Sequence, residues 1–160
     1  MNTKSEEDYL KCLYHLQQGK KNVSTNEIAN YLSMKPSSVS DMLKKLAEKK
    51  CVNYLKYKGS SLTQKGELIA LSVIRKHRLW ETFLVNKLGF SWSKVHNIAE
   101  QLEHVNSEEL IDKLDHFLAY PQIDPHGDPI PQKNGTIAEL NQKLLSELKH
   151  GEEGIITGIK

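Results

Sequence analysis

Four side chains that can bind a metal ion fall close together in the second half of the chain. They are His96, Glu100, Glu103 and His104. On an ideal helix at 100° per residue they point to about 0°, 40°, 340° and 80°, an arc of roughly 100°. Two carboxylates and two imidazoles on one helix face repel one another or stay in water unless a cation is shared. The spacing favours a metal site, and the alternative is a solvated helix face.

Two further groups of residues have the same chemistry. His77 and Glu81 are separated by one helical turn, and Asp8 follows Glu6 and Glu7 near the start of the chain. Carboxylate and imidazole ligands without a thiolate favour a fairly hard divalent ion such as Mn²⁺ or Fe²⁺, whereas Zn²⁺ or Co²⁺ could occupy the same groups in vitro. A single histidine is more often an ordinary surface or core residue, so the prediction depends on the whole constellation.

A metal face of this kind can also activate water, so a metallohydrolase is one alternative function. The sequence contains no His-Glu-x-x-His element, no Gly-x-Ser-x-Gly elbow and no glycine-rich phosphate loop. We therefore expect a protein that is not an enzyme. Cys12 lies one turn after Asp8 and could approach the same ion, but a buried cysteine that packs as a small hydrophobic residue is the preferred interpretation.

The charges of the chain are segregated along the sequence. The 160 residues carry 22 Lys+Arg and 20 Asp+Glu, a formal net charge of +2. From Lys35 to Lys65 there are eight lysines and two acids, whereas from Asn97 to Asp128 there are eight acids and one lysine. Solvated helix faces would account for both blocks. The other interpretation is one surface for a polyanion and another for cations, on one domain or two small ones.

The composition also bears on the compartment. No apolar run approaches 18 residues and the mean hydropathy is −0.54, which argues against a membrane span. The first ten residues contain no apolar leader, and two cysteines do not indicate a disulfide scaffold. We therefore expect a cytoplasmic protein with no membrane partner.

The first 65 residues have the pattern of a winged helix-turn-helix. Ser5 is placed to cap a first helix, Val23-Ser24-Thr25 opens a second, and Pro36 fits the first turn of a third. Two extended runs, 51–55 and 61–63, then flank a basic tip. In such a fold the outer face of the third helix lies in the DNA major groove and the wing reaches for phosphates.

The rest of the chain is predicted to be mainly helical. Three helices are expected, Lys65 to Leu88, Ser93 to about Val105 and Ser107 to Leu118. The segment 121–131 holds four of the five prolines and is expected to be an extended loop. An amphipathic helix is expected from Ile137 to Leu148. The segment 154–159 resembles the start of a strand, which either pairs with another part of the chain or begins a further small β domain.

Several segments, taken in order over about 130 residues, identify a family. They are Ser5-Glu6-Glu7-Asp8-Tyr9-Leu10, Pro36-Ser37-Ser38-Val39-Ser40, Leu62-Thr63-Gln64-Lys65-Gly66, Arg75-Lys76-His77-Arg78-Leu79, Lys94-Val95-His96, Leu102-Glu103-His104 and Asp124-Pro125-His126-Gly127-Asp128-Pro129-Ile130-Pro131. With these segments the chain resembles the diphtheria toxin repressor and manganese transport regulator family of metal-dependent bacterial repressors. The last segment is the most diagnostic.

The resemblance implies a mainly α fold in three parts. A winged helix-turn-helix DNA-binding domain would span 1–66 and a helical metal-binding and dimerisation domain 67–135. Residues 136–160 would form a helix or linker and the start of the SH3-like β domain that many members have. The implied function is repression of metal-homeostasis genes by a homodimer that binds a palindromic double-stranded DNA operator when Mn²⁺ or Fe²⁺ is bound.

The resemblance also implies two metal sites. The primary site would comprise Asp8, Glu100, Glu103 and His104, and the ancillary site His77, Glu81 and His96. Iron-type members tend to have Met and Cys where this chain has Asp8 and Glu100, so the chain resembles the manganese-type members. Lys11 stands where one manganese subgroup has a further glutamate, so the closely bridged metal pair of that subgroup is not expected at the primary site.

The DNA-binding surface is predicted on the third helix, the turn before it and the wing. Its residues are Thr25, Lys35, Ser37, Ser38, Ser40, Lys44, Lys56 and Lys58. Serine and threonine can bond to bases or to phosphates, so the sequence does not give the operator. A metal-independent winged-helix regulator that senses another small molecule is the second alternative, and it would bind its operator equally well in EDTA.

Overall fold

A computed structural model describes residues 2–139, 145–151 and 153–154. The helices are α1 (Lys4–Leu16), α2 (Thr25–Tyr31), α3 (Pro36–Glu48), α4 (Gln64–Leu88), α5 (Trp92–Leu102) and α6 (Glu108–Phe117), and the strands are β1 (Val52–Leu55) and β2 (Gly59–Leu62). This order confirms a mainly α fold that begins with a winged helix-turn-helix. The chain forms two compact units, Met1–Ile74 and Arg75–Lys160, whose boundary falls within α4. The domain limits 1–66, 67–135 and 136–160 remain predictions.

The start of α1 differs from the prediction, which made Ser5 the N-cap. The cap is Thr3, whose Oγ1 accepts a hydrogen bond from the Glu6 backbone N–H at 3.3 Å, while the Glu6 carboxylate accepts one from the Thr3 N–H at 2.9 Å. Thr3 has a glutamate three residues later, as this reciprocal capping box requires, whereas Ser5 has the shorter Asp8 there.

The helix-turn-helix forms as the sequence predicts. Ser24 caps α2 in a second capping box with Glu27, and Pro36 occupies the first turn of α3. The apolar residues of α3 that recur at a spacing of three and four, Val39, Leu43 and Leu46, are fully buried. They lie in a core shared with α1, α2 and β1, so the opposite face of α3 is left to solvent.

The wing is a two-stranded antiparallel ribbon in which Val52 pairs with Leu62 and Leu55 with Gly59. It is tied to the residue before the α2 cap, because Val23 and Ser60 exchange two backbone hydrogen bonds of 2.8 Å. Gly59 permits this approach: its φ is +91°, and a Cβ there would lie 2.7 Å from the Val23 carbonyl oxygen. The wing therefore has a fixed base on the helix-turn-helix.

The second unit contains the end of α4 together with α5 and α6. Its core includes Leu79, Ile111, Leu114 and Ile130. The helix predicted to reach Val105 ends earlier, at Leu102, and Glu103 is its C-cap. A new helix starts after Ser107, whose side chain accepts a hydrogen bond from the Leu110 N–H at 3.2 Å. The chain has to leave α5 before that cap, so an ideal helical angle does not apply to His104.

The proline-rich segment is a closed loop and not the extended loop that was predicted. Ile123 and Pro129 form a bridge, and the Asp124 N–H donates to the Asp128 carbonyl oxygen at 2.9 Å. The Asp124 Oδ1 also accepts hydrogen bonds from the N–H groups of His126 (2.8 Å) and Asp128 (2.9 Å). An aspartate that bonds to the backbone of the following residues is a common way to close a turn.

The helix predicted from Ile137 to Leu148 is not formed in the described part of that stretch. Residues 137–139 have no regular structure and Leu145–Glu147 form a single 3₁₀ turn. Residues 140–144, and the predicted strand beyond residue 154, lie outside the described residues. Across the described residues, no helix combines the length and the apolar composition that crossing a bilayer requires.

Candidate metal centre and nucleic-acid interface

A buried carboxylate on α4 is the centre of the first ligand group. Glu81 is 2% exposed. Its Oε1 lies 3.0 Å from the Nε2 of His77, one turn earlier on α4, and 3.3 Å from the Nδ1 of His96 on α5. The ligand atoms of the three residues all lie within 4.8 Å of one another. The structure thus brings together the three residues predicted for the ancillary site.

The other oxygen of Glu81 faces a second group. The Oε2 lies 3.5 Å from the Nδ1 of His126, and Glu81, Asp124 and His126 offer ligand atoms within 4.8 Å of one another. Asp124 and His126 are not among the ligands predicted from the sequence. The available signal was the pair of acid and imidazole two residues apart in a diagnostic loop, but only the folded loop places them beside α4.

Contacts from Arg78 and Trp92 hold that loop in place. The guanidinium of Arg78, the residue after His77 on α4, donates a hydrogen bond to the Pro129 carbonyl oxygen. The indole N–H of Trp92 donates to the Pro125 carbonyl oxygen at 2.9 Å, and its ring stacks on His126 with centroids 5.4 Å apart. The position of His126 is therefore set by α4 and α5 together.

Glu103 extends the cluster toward the end of α5. Its Oε2 lies 2.6 Å from the Nδ1 of His77, and its Oε1 lies 3.4 Å from the Nε2 of His104. Glu103 is 1% exposed. A carboxylate bonded to one imidazole nitrogen orients the ring and leaves the other nitrogen to bind a metal ion. Carboxylates and imidazoles therefore alternate from His104 through Glu103, His77 and Glu81 to His126.

The face predicted from His96 to His104 is not uniform. The His96 Nε2 lies 3.4 Å from the Glu100 Oε1, and these two side chains are 58% and 50% exposed. Glu103 and His104, in contrast, are 1% and 10% exposed. Glu103 is the C-cap of α5 and His104 is the next residue, so both lie in the turn that leaves the helix.

The surroundings of the buried acids act on their charge in different ways. Burial favours the neutral form of Glu81, but hydrogen bonds and charge interactions with His77, together with His126 and His96, lower its pKa overall. For Asp124 burial outweighs the hydrogen bonds and the Arg78 charge, so its pKa is raised. A cation placed among these groups would favour the ionised form of both.

The donor atoms suit a divalent ion of intermediate to hard character. They are carboxylate oxygens and imidazole nitrogens, with no thiolate among them. Cys12, on α1 in the other unit, is buried, and burial raises the pKa of its thiol to about 12. A thiol with that pKa stays protonated at neutral pH and packs as an apolar side chain. Asp8 lies on the same helix, one turn before Cys12.

In the first unit a different buried acid joins α1 to the third helix. Glu6 is fully buried, and its two oxygens lie 3.1 Å from the Lys45 Nζ and 2.8 Å from the Lys49 Nζ. Burial alone would raise its pKa, but hydrogen bonds from Lys49, the Thr3 backbone and Lys45 lower the pKa to about 2. This carboxylate is neutralised by the chain itself.

The predicted DNA-binding residues lie on the outer side of the first unit. Lys35, Ser37, Ser38, Lys44, Lys56 and Lys58 are exposed, and Thr25 and Ser40 are half-buried. Lys35 is the N-cap residue of α3 but gives no side-chain cap, so the N–H groups of the first turn are not capped by it. Exposed lysines, hydroxyls and helix N–H groups are typical partners for phosphate and base edges.

Comparison with known proteins agrees with both parts of this description. The family described as "Iron dependent repressor, N-terminal DNA binding domain" matches residues 1–60. The family described as "Iron dependent repressor, metal binding and dimerisation domain" matches residues 63–132. Together the two matches cover most of the chain, up to residue 132.

Individual relatives give the same result. An uncharacterised helix-turn-helix transcriptional regulator of Methanocaldococcus jannaschii is 37% identical over 117 residues, which cover 72% of this chain and 94% of that protein. A manganese-dependent transcriptional repressor in complex with manganese is 38% identical with a TM-score of 0.82, covering 97% of this chain and 72% of the other. ScaR with bound Cd²⁺ is 39% identical with a TM-score of 0.76, covering 91% and 68%.

Proposed function

The chain belongs to the iron-dependent repressor family of metal-dependent DNA-binding regulators, and we propose that Mn²⁺ is the ion that activates it. Repression of metal-homeostasis genes by a cytoplasmic homodimer at a palindromic operator is part of the proposal. The observation that carries it is the cluster of buried carboxylates and imidazoles around Glu81 and Glu103, on a chain whose other unit exposes lysines and serines on α3 and the wing. Fe²⁺ is the alternative ion, and Zn²⁺ or Co²⁺ would bind in vitro.

The choice of Mn²⁺ rests on the ligands. Oxygen and imidazole donors without a thiolate suit a hard or intermediate ion, and Cys12 belongs to none of the ligand groups found among the described residues. The structures of similar proteins carry manganese in one case and cadmium in another, so the donor set is what favours manganese here. Cd²⁺ is softer and tolerates the same nitrogen and oxygen atoms.

The proposed primary site comprises Asp8 of the first unit and Glu100, Glu103 and His104 of the second. These residues would hold a divalent ion, which would supply positive charge to the set. Its binding free energy would favour the arrangement in which all four ligands reach it. The ancillary site comprises His77, Glu81 and His96, whose ligand atoms lie within 4.8 Å.

The residues of each unit carry this restraint to its surface. In the first unit, Glu6 joins α1, which bears Asp8, to Lys45 and Lys49 at the end of the third helix. In the second unit, the 2.6 Å contact with His77 fixes Glu103. A restraint on α1 through Asp8 would therefore also restrain α3. A dimer with its two third helices about 34–36 Å apart then fits successive major grooves of the operator.

Fluorescence anisotropy of a labelled operator with Mn²⁺ and with EDTA tests the proposal. We expect binding by the wild-type protein to weaken at least about tenfold in EDTA, which corresponds to ~1.4 kcal/mol of coupling. Glu103→Gln should bind weakly in both conditions. Glu109→Gln, which changes an exposed glutamate of α6, is the matched control and should behave as wild type. Wild-type binding that EDTA leaves unchanged would favour the metal-independent regulator, and turnover of a substrate would favour a hydrolase.

A further inference from the structure

Glu81 belongs to two ligand groups at the same time. Its Oε1 faces the Nε2 of His77 at 3.0 Å and the Nδ1 of His96 at 3.3 Å, whereas its Oε2 faces the Nδ1 of His126 at 3.5 Å. The two groups of potential ligands found around it in the described residues have this one carboxylate in common. Each group therefore has its own oxygen of Glu81 without any rotation of the side chain.

Asp124 is held in the second group by its own loop. Its Oδ1 accepts hydrogen bonds from two backbone N–H groups, those of His126 and Asp128. Its Oδ2 lies 3.6 Å from the Arg78 Nε, which is beyond hydrogen-bond distance. Backbone bonds of this kind orient a ligating carboxylate while leaving its second oxygen for an ion.

We propose that Glu81 bridges two divalent cations, one held with His77 and His96 and the other with Asp124 and His126. The inference rests on the proposed metal-dependent function and adds a shared pair of ions to the second unit. Each ion would have three protein ligands, and water would fill its remaining coordination positions.

The charges around the two groups allow a pair. Glu81 and Asp124 supply negative charge directly, and Glu100 lies 3.4 Å from the outer nitrogen of His96. Arg78 lies 3.6 Å from Asp124 and 3.7 Å from Asp128, so an acid that is not a proposed ligand shares the charge of this guanidinium. Each of the two ions would therefore have negative charge near it, which would offset the repulsion between them.

A shared ligand makes the two binding events dependent on each other. The first ion orients Glu81 for the second, and by linkage the second strengthens the first to the same extent. The pair would also join three parts of the second unit, because His96 is on α5, His77 is on α4 and His126 is in the loop at 121–131. Loss of Glu81 should therefore remove both ions, whereas loss of either outer histidine should remove one.

Counting the ions and measuring their magnetic interaction tests the bridge. Asp8→Asn serves as the starting protein, because it removes a ligand of the proposed primary site and none of the pair. After equilibrium dialysis against Mn²⁺, elemental analysis of the Asp8→Asn protein should give two ions per chain. Electron paramagnetic resonance should show a spin-coupled pair in place of the hyperfine pattern of isolated Mn²⁺.

Second substitutions in that protein separate the two groups. Glu81→Gln should leave no bound manganese, and His96→Gln or His126→Gln should each leave one ion with the isolated hyperfine pattern. Glu109→Gln is the control and should keep the coupled pair. Circular dichroism of each variant verifies that it is folded, so that a lost ion reports on a lost ligand.

Three results would overturn the bridge. One ion per chain with the isolated pattern in Asp8→Asn would make the two groups alternative seats for a single ion, two ions without spin coupling would make them independent, and no ion would remove both. Failure of the proposed function is seen separately, because it would appear as wild-type operator binding that does not respond to Mn²⁺, whatever the count of ions.

Discussion

The two units of the molecule each bury a glutamate, and they neutralise it in different ways. Glu6 in the first unit is 0% exposed and Glu81 in the second is 2% exposed. Glu6 lies against the ammonium groups of Lys45 and Lys49, at 3.1 and 2.8 Å. Glu81 lies against three imidazoles, whose ring nitrogens can also bind a metal ion.

This difference distinguishes a carboxylate with a structural role from one that is suited to bind a metal ion. A buried acid with its own lysines is satisfied whether or not a metal is present, and it holds two helices together. A buried acid among imidazoles can take up an external cation, because the carboxylate oxygens and ring nitrogens that contact one another are themselves metal ligands. The Glu6 joint between α1 and α3 is therefore expected to form with or without metal, whereas the cluster around Glu81 is expected to depend on it.

The largest expected effect comes from adding the ion. At a free Mn²⁺ concentration about 100-fold above the dissociation constant, each bound ion should raise the free energy of unfolding by about 2.7 kcal/mol. Urea titrations with Mn²⁺ and with EDTA measure the increment. In Glu81→Gln, the increase in unfolding free energy that comes from ions bound in the second unit should be lost. In Glu6→Gln, Mn²⁺ should still raise the unfolding free energy through the second unit. A wild-type protein that gains nothing would remove the distinction between the units.

Substitution of the structural acid should have the next largest effect. Glu6→Gln should lower the free energy of unfolding by about 2 kcal/mol, because it removes the negative charge that accepts a hydrogen bond from Lys49 and forms an ion pair with Lys45. Glu27→Gln, an exposed capping glutamate that also bonds to a lysine, is a useful comparison and should cost less. Equal losses for the two variants would contradict the role assigned to the burial of Glu6.

The same pair predicts how stability changes in acid. The folded pKa of Glu6 is about 2, below its ordinary value of 4.5, so its contribution is complete above pH 4.5 and is lost as the pH falls toward 2. The difference in unfolding free energy between wild type and Glu6→Gln should therefore shrink over that range. A difference that stays constant down to pH 2 would show that the carboxylate charge is not what stabilises the joint.

The base of the wing gives a smaller effect that is confined to the first unit. Gly59→Ala should cost about 1.5 kcal/mol, because alanine is strained at a φ of +91° and its Cβ would lie 2.7 Å from the Val23 carbonyl oxygen. Gly19→Ala is the matched control, with a φ of +70° and no atom within 4 Å of the added Cβ. If both variants lose the same stability in urea titrations, strain alone explains the loss.

The mildest change removes charge from the wing. Lys56→Ala combined with Lys58→Ala should weaken operator binding about tenfold at moderate salt and reduce the slope of log K against log salt by about 2. Anisotropy at several salt concentrations gives the slope. Lys113→Ala, an exposed lysine of α6 in the second unit, should leave the slope unchanged. A slope that does not change in the double variant would refute the assignment of the wing as a phosphate contact.

The sequence by itself determined most of the first unit and the family. Pro36 at the start of α3, the spacing of Val39, Leu43 and Leu46, and the basic wing all depend on local patterns that survive without tertiary information. The separate motifs also fixed the family, which the matches over residues 1–60 and 63–132 confirm. The Ser5 cap failed locally, because Thr3 had the better partner in Glu6.

Tertiary structure decided how the ligand atoms of the second unit are grouped. A helical angle described the residues from His96 to His104 well while the helix lasted, but α5 ends at Leu102 and the face divides into exposed and buried halves. His126 lies 45 residues after Glu81 in the chain, and its place beside that carboxylate depends on a loop closed by Asp124 and stacked on Trp92. Periodicity reports which residues share one helix face, whereas contacts between distant segments arise only when the chain packs.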